Sequence, residues 1–325
     1  MPTTRGLRPW SNRVVTDHVA SWDDLQAEHD SAGSISSEWT PISRAVGSVR
    51  IRMNRIRVDP GKRSTPLHTE SDEEIFFVLG GSGLSWQRAR NEDRTYEVRA
   101  GDCLVHLPER EAHTLVAGED GLDVLAFGVG PDNVLAYFPR LSVMRVGPAI
   151  IDVDGRHQWD LEGELPDPDL PSPSPRPKGI VNIDELEPEP WGQGDVSVEG
   201  RDLGIAAGSV KTGISYNRIP PGKLSCPPHC HSLEEEMFVI LDGDGVCLLG
   251  DEEHAVSRGH VVARPAATRV AHAFRGGDEG LTMLAYGTRD PNDIAYYPRS
   301  NKLNFRGVGV IIRAERLDYW DGEAD

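Results

Sequence analysis

The sequence predicts an all-β protein built from two similar halves in tandem. Three observations carry this: short β-branched and aromatic runs cut by Gly, Pro and Asp, an internal repeat, and a proline-rich stretch between the copies. In the second half Glu236-Met-Phe-Val-Ile-Leu ends at Asp242-Gly-Asp-Gly245. Val246-Cys-Leu-Leu, His254-Ala-Val and Arg258-Gly-His-Val-Val-Ala follow. Strands at roughly 8–12-residue spacing indicate an antiparallel sandwich or barrel. Gly80-Gly-Ser-Gly83 and Asp242-Gly-Asp-Gly245 read as hairpin turns. Helical periodicity is sparse. Asp23-Asp-Leu-Gln-Ala-Glu and Ile183-Asp-Glu-Leu-Glu suit short turns, and Ile294-Ala-Tyr-Tyr-Pro-Arg suits a helical turn or a strand.

The repeat keeps an offset near 160 residues. Ala45-Val-Gly-Ser-Val-Arg50 matches Ala206-Ala-Gly-Ser-Val-Lys211, and Val58-Asp-Pro-Gly-Lys62 matches Ile219-Pro-Pro-Gly-Lys223. Glu74-Ile-Phe-Phe-Val-Leu matches Glu236-Met-Phe-Val-Ile-Leu. Asn133-Val-Leu-Ala-Tyr-Phe-Pro-Arg140 matches Asn292-Asp-Ile-Ala-Tyr-Tyr-Pro-Arg299, and Gln158-Trp-Asp160 matches Tyr319-Trp-Asp321. Chance does not preserve order and spacing over five blocks, so the chain is duplicated. Glu162 to Lys178 holds Pro166-Asp-Pro-Asp-Leu-Pro-Ser-Pro-Ser-Pro-Arg-Pro. Proline removes donors and fixes φ, so this stretch forms neither helix nor ladder. The expected organisation is a first domain over 1–160, a linker over 161–178 and a second domain over 179–325.

A net charge of −18 disfavours nucleic acid and anionic membrane as partners, since both are polyanions. No apolar run reaches the roughly 18 residues of a membrane span. Met1 to Val15 is polar and lacks an apolar leader core, so a cytoplasmic protein is expected. Four cysteines are too few and too unevenly spaced for a disulfide framework. On a strand His229 and His231 face one side and Cys230 the other, so Cys230 is expected to pack against the sheet.

The chemistry concentrates at Gly222, His229, His231, Glu236 and Gly243, followed by Gly259, Pro265 and His272. Three imidazoles and a carboxylate suit a divalent first-row metal: iron, manganese, zinc or nickel. Glu236 has the wrong parity to join His231 on one straight strand. A bend at Ser232-Leu233 is therefore expected, with Glu236 opening the next strand, Phe238 and Ile240 inward, and Met237, Val239 and Leu241 outward. Gly222-x6-His229-x-His231-x4-Glu236-x6-Gly243 with Gly259-x5-Pro265-x6-His272 resembles the two motifs of the cupin superfamily. The match recurs in both halves, so the whole chain resembles a bicupin. The resemblance implies two antiparallel jelly-roll barrels joined by the proline-rich linker, with metal held inside by His229, His231, Glu236 and His272. It departs in having six rather than five residues between the first Gly and the first His, and in lacking an Asn after His272.

The first copy departs further. Gly61-x6-His68-Thr69-Glu70-x3-Glu74-x6-Gly81, with Gly101, Pro108 and His113, places Glu70 where the second His belongs. His68, Glu70, Glu74 and His113 form a second, weaker candidate site. Its oxygen ligands favour manganese or magnesium. The remaining acids of Asp72-Glu73 and Glu234-Glu235 read as solvated surface. His254 and His260 read as structural, and His106 has a claim on the first barrel's interior. Tyr296, Tyr297 and Arg299, with Tyr137, Phe138 and Arg140, suit a substrate wall or an interface between the barrels, the interface being favoured.

Four protein ligands leave two positions on an octahedral metal, enough for a bidentate oxygen donor or for one substrate atom plus dioxygen. The expected function is dioxygenase-like chemistry on a small oxygen-rich molecule in the C-terminal barrel. The alternatives are a non-catalytic binder of a sugar or carboxylate and a metal-dependent sugar isomerase. A homo-oligomer, a dimer by the resemblance, is expected.

Overall fold

The computed structural model describes residues 18–108, 110–130, 134–147, 149–151 and 156–323. The reading of Met1 to Val15, and Asn133 of the repeat, lie outside these residues.

The chain is mostly β. Each half contributes one large and one small antiparallel sheet. The large sheet of the first half is built on Glu74–Ala89 and Ala112–Val129, and that of the second half on Glu236–Leu249 and His272–Gly287. The small sheets hold Thr69–Glu70 and Cys230–His231, the strands that carry the candidate ligands. Apolar residues of alternate parity divide between two cores. Phe238 and Ile240 join Phe274 and Leu281 inside the second half, while Met237 and Val239 face the opposite way. The outward set meets Ile75, Phe77, Leu125 and Phe127 of the first half in one continuous buried cluster. Phe127 stacks on Tyr286 across it, centroids 4.8 Å apart.

The halves also exchange strands. Val19–Ser21 pairs with His260–Arg264 of the second half, and Ile180–Asn182 pairs with Asp102–His106 of the first. Each arm then turns through a single 3-10 turn, Trp22–Asp24 or Ile183–Glu185, so both expected short turns form. The turns sit on matching glycines. Trp22 N donates to Gly259 O and Ile183 N to Gly101 O, both at 3.0 Å. A Cβ on Gly101 (φ +84) would lie 2.9 Å from the Ile183 side chain, so the arm needs a glycine there.

Three expectations need correction. Gly80-Gly-Ser-Gly83 and Asp242-Gly-Asp-Gly245 are not hairpin turns. They lie within the continuous strands Glu74–Ala89 and Glu236–Leu249, at register shifts that bend the sheet. Gly81 (φ +78) and Gly243 (φ +75) would each place a Cβ 2.2 Å from a carbonyl of the neighbouring strand. Glycine here thus permits a bulge between close backbones rather than a turn. Ile294–Tyr297 is a strand.

The acidic runs are not solvated surface either. Glu235 is fully buried and accepts from Ser48 Oγ (2.6 Å), Val49 N (2.9 Å) and Arg50 N (2.6 Å) of the first half. Glu73, 1% exposed, accepts in the same way from Ser209 Oγ (2.6 Å), Val210 N (2.8 Å) and Thr212 N (3.1 Å) of the second. The repeated Gly-Ser-Val blocks are therefore carboxylate receptors for the opposite half. The third correction follows: the interface is this core and these carboxylates, not the Tyr-Arg segments. Arg140 binds Glu162 (2.6 Å) and the Pro166 carbonyl (2.6 Å) of its own half.

The proline-rich segment has no regular structure from Pro166 to Pro177. It runs against the first half, where Ser174 N donates to Thr95 O at 2.8 Å and Arg176 pairs with buried Asp102 at 2.8 Å.

Removing one partner of a buried, charge-assisted set leaves several donors unmet. Glu235→Ala is expected to lower unfolding stability by about 3 kcal/mol, and Glu235→Gln by less, measured by urea unfolding with tryptophan fluorescence.

Candidate metal centre

Each candidate ligand of the second half sits at a strand end. His229 precedes Cys230–His231, Glu236 opens Glu236–Leu249 and His272 opens His272–Gly287. His229 N donates to His272 O (3.2 Å) and His272 N to His229 O (2.8 Å), which ties two ligand positions by their backbones. Leu233 N and Glu234 N both reach Asp293 Oδ1, at 2.9 and 3.1 Å, and the chain re-enters the large sheet at Glu236.

His229, Glu236 and His272 converge, while His231, which approaches Glu236, is grouped with Glu234 and Asp293. The His229 ring centroid lies 4.8 Å from those of His231 and His272, which are 6.1 Å apart. Glu236 Oε2 is 3.2 Å from His231 Nε2 and 2.9 Å from His272 Nε2. Ligand atoms of His229, Glu236 and His272 all lie within 4.8 Å of one another. Yet His231 Nε2, His272 Nε2 and Glu236 Oε2, all buried, find no hydrogen-bond partner among the described residues. Buried polar atoms are rarely left so. These close atoms that are not aligned for hydrogen bonding fit a shared cation.

The outward faces of two rings are tied down. His229 Nδ1 is 3.0 Å from the Pro227 carbonyl, and His231 Nδ1 is 2.6 Å from Asp293 Oδ2. Such partners fix the ring orientation and leave Nε2 for a metal. Burial and the neighbouring imidazoles push His229 down to about 4. Burial lowers His272, and His272 and His231 hold Glu236 well below the carboxylate range despite its burial. His231 goes the other way. Against burial, Asp293 and Glu236 push it up to about 10.

Asp293 was not among the expected site residues. Its signal lies in the repeat: the matched blocks carry Val134 in the first half and Asp293 in the second, and the change accompanies Glu70 against His231. Tyr297, read as an interface residue, instead stacks on His229 at 5.3 Å, and Phe138 covers His68 at 5.9 Å. Cys230 is half-buried and pairs with Tyr296 at the sheet register. It lines an outer cavity of about 930 Å³ with His231, Ala267 and Arg269.

The first half brings His68, Glu74 and His113 together but turns Glu70 elsewhere. The Glu70 oxygens accept from Arg52 (3.0 Å) and Arg145 (3.3 Å). His113 Nε2 and Glu74 Oε2 form a well-aligned 2.9 Å hydrogen bond, so this pair satisfies itself. His106 is buried and stacks on His113, centroids 3.8 Å apart at 12°.

The cupin domain description matches twice, over residues 54–127 and 215–286. The chain is a bicupin. Its structure is similar to oxalate decarboxylase from Bacillus subtilis (TM-score 0.59, 16% identity, 86% of this chain and 78% of that one). It is also similar to a formate complex of oxalate decarboxylase from Lactobacillus farciminis (TM-score 0.58, 16% identity, 85% and 87%). At such identity the likeness concerns the cupin fold alone. No curated protein matches this bicupin's sequence. Among the described residues no helix is long and apolar enough to cross a membrane.

Asp293→Asn is expected to weaken binding of a divalent metal by about 10–100-fold with the fold intact, measured by competition with a chromophoric chelator. Metal uptake by the wild-type protein is expected to release about one proton at pH 7, read by calorimetry in buffers of different ionisation enthalpy.

Proposed function

We propose that the second half holds one divalent transition metal on His229, His231, Glu236 and His272 and is the active centre of a dioxygenase-like enzyme. Its substrate would be a small oxygen-rich organic molecule. The observation that carries this reading is the set of buried nitrogens and a carboxylate oxygen converging without hydrogen-bond partners in the second half. A bound iron, manganese, nickel or zinc ion would supply Lewis acidity, and the first two redox chemistry as well. The residues themselves do the positioning. Asp293 holds His231, the Pro227 carbonyl holds His229, and Tyr297 roofs His229. Phe238 lies against His272 at 5.4 Å and gives that ligand an apolar floor. The first half, with His113 already bonded to Glu74 and Glu70 held by arginines, serves as scaffold in this reading.

A second reading is favoured by the similar structures: decarboxylation of a small carboxylate such as oxalate. The two readings separate on oxygen. Stoichiometric dioxygen uptake with a panel of small diols, enediols and keto acids supports the first. Carbon dioxide release from oxalate without net oxygen uptake supports the second.

Elemental analysis is expected to find one transition metal per chain in the wild type. His272→Ala is expected to lose it, together with more than about 100-fold of activity, and His113→Ala to retain it. Activity that survives complete removal of metal would contradict both readings.

A further inference from the structure

Resting on the reading of the second half as the metal centre, we propose that Arg264 is the anion anchor of that site. Its ligand would be a small organic carboxylate carrying a second oxygen donor. Arg264 ends the strand His260–Arg264 and pairs in register with Glu236, so the two residues share one face of the sheet. The next inward pair, Val262 with Phe238, belongs to the inner core of the second half, which identifies that face as the interior. Arg264 is only 4% exposed.

A guanidinium stays charged in a protein, and a buried charge calls for a counter-ion. Among the described residues the one other buried arginine, Arg63, pairs with Glu162, and the half-buried Arg52, Arg145 and Arg176 pair with Glu70, Glu70 and Asp102. Arg264 has no carboxylate within ion-pair distance among the described residues. One of its terminal nitrogens donates to Thr268 Oγ1 (3.0 Å) and the Val270 carbonyl (2.9 Å), and its buried Nε has no partner. Burial pulls its pKa below the usual arginine value. The carboxylate whose field it feels is Glu236, which is committed to His231 and His272.

The first half lacks this cation. His106 occupies the matching place, in register with Glu74, and stacks on His113. The unpaired guanidinium therefore accompanies the second half's ligand set and is missing where Glu74 is already bonded to His113. The two hydrogen bonds hold Arg264 to the segment after Pro265, and Ala267 N ties that segment to the His231 carbonyl at 2.9 Å. Metal and guanidinium thus share one wall. A neutral diol would leave the charge unmet, whereas a carboxylate matches the planar fork.

The test uses full-length protein loaded with cobalt(II), whose visible spectrum reports the ligand field. It is titrated with oxalate, malonate and glycolate, and with neutral oxamide. Cobalt stoichiometry is measured alongside. At least one anion is expected to change the spectrum and to bind about 30-fold or more tightly than oxamide. Arg264→Gln is expected to weaken that anion by a similar factor at unchanged cobalt stoichiometry, and Arg264→Lys to restore part of it. Wild-type anion affinity in cobalt-loaded Arg264→Gln, a preference for oxamide, or silence with all three anions would overturn the proposal. Should Arg264→Gln fail to fold, Arg264→Lys decides: an affinity loss of about five-fold or more supports the fork, and none refutes it. Failure of the wild type to bind cobalt would instead overturn the metal reading beneath it.

Discussion

The structure depends on a reciprocal exchange between two halves that are incomplete alone. Each large sheet ends in a strand from the opposite half, and each half buries a carboxylate in the other's Gly-Ser-Val block. A buried carboxylate with backbone N–H groups around it is favourable only while those donors stay in place. The arms, the shared core around Phe127 and Tyr286, and Glu73 and Glu235 therefore form or fail together. The ligand strands inherit their rigidity from this. Glu74 and Glu236 each follow a clamped residue by one position and open their strands.

The same frame carries two different centres. In the second half His229 and His231 are held from behind, and His231, His272 and Glu236 present buried atoms with no hydrogen-bond partner among the described residues. In the first, a few substitutions turn the equivalent groups inward on themselves. Glu70 replaces an imidazole and is taken by Arg52 and Arg145, Val134 stands where Asp293 would be, and His106 stands where Arg264 would be. None of these changes alters the sheets, because each lies at a strand end or on an inner wall.

Much of this was legible in the residues. The duplication, the all-β character and the parity that sends Phe238 inward and Met237 outward all follow from pattern. The candidate set His229, His231, Glu236 and His272 comes from the cupin resemblance of the motif. What escaped was long-range pairing. Glu235 reads as surface because its partners, Ser48 to Arg50, are 185 or more residues away. Asp293 carries no local signal of its role because its bond to His231 spans 62 positions. The glycine clusters read as turns because a bulge and a hairpin ask for the same residues. Only the closeness of the neighbouring backbone tells them apart.

The placement of Glu235 directly before Glu236 has an evolutionary consequence. Trimming the first half away would strip the receptor from Glu235 and the edge strand from the second half's large sheet, next to a candidate ligand. The first half is thereby held to its shape whatever chemistry it carries. Its contact face should change slowly.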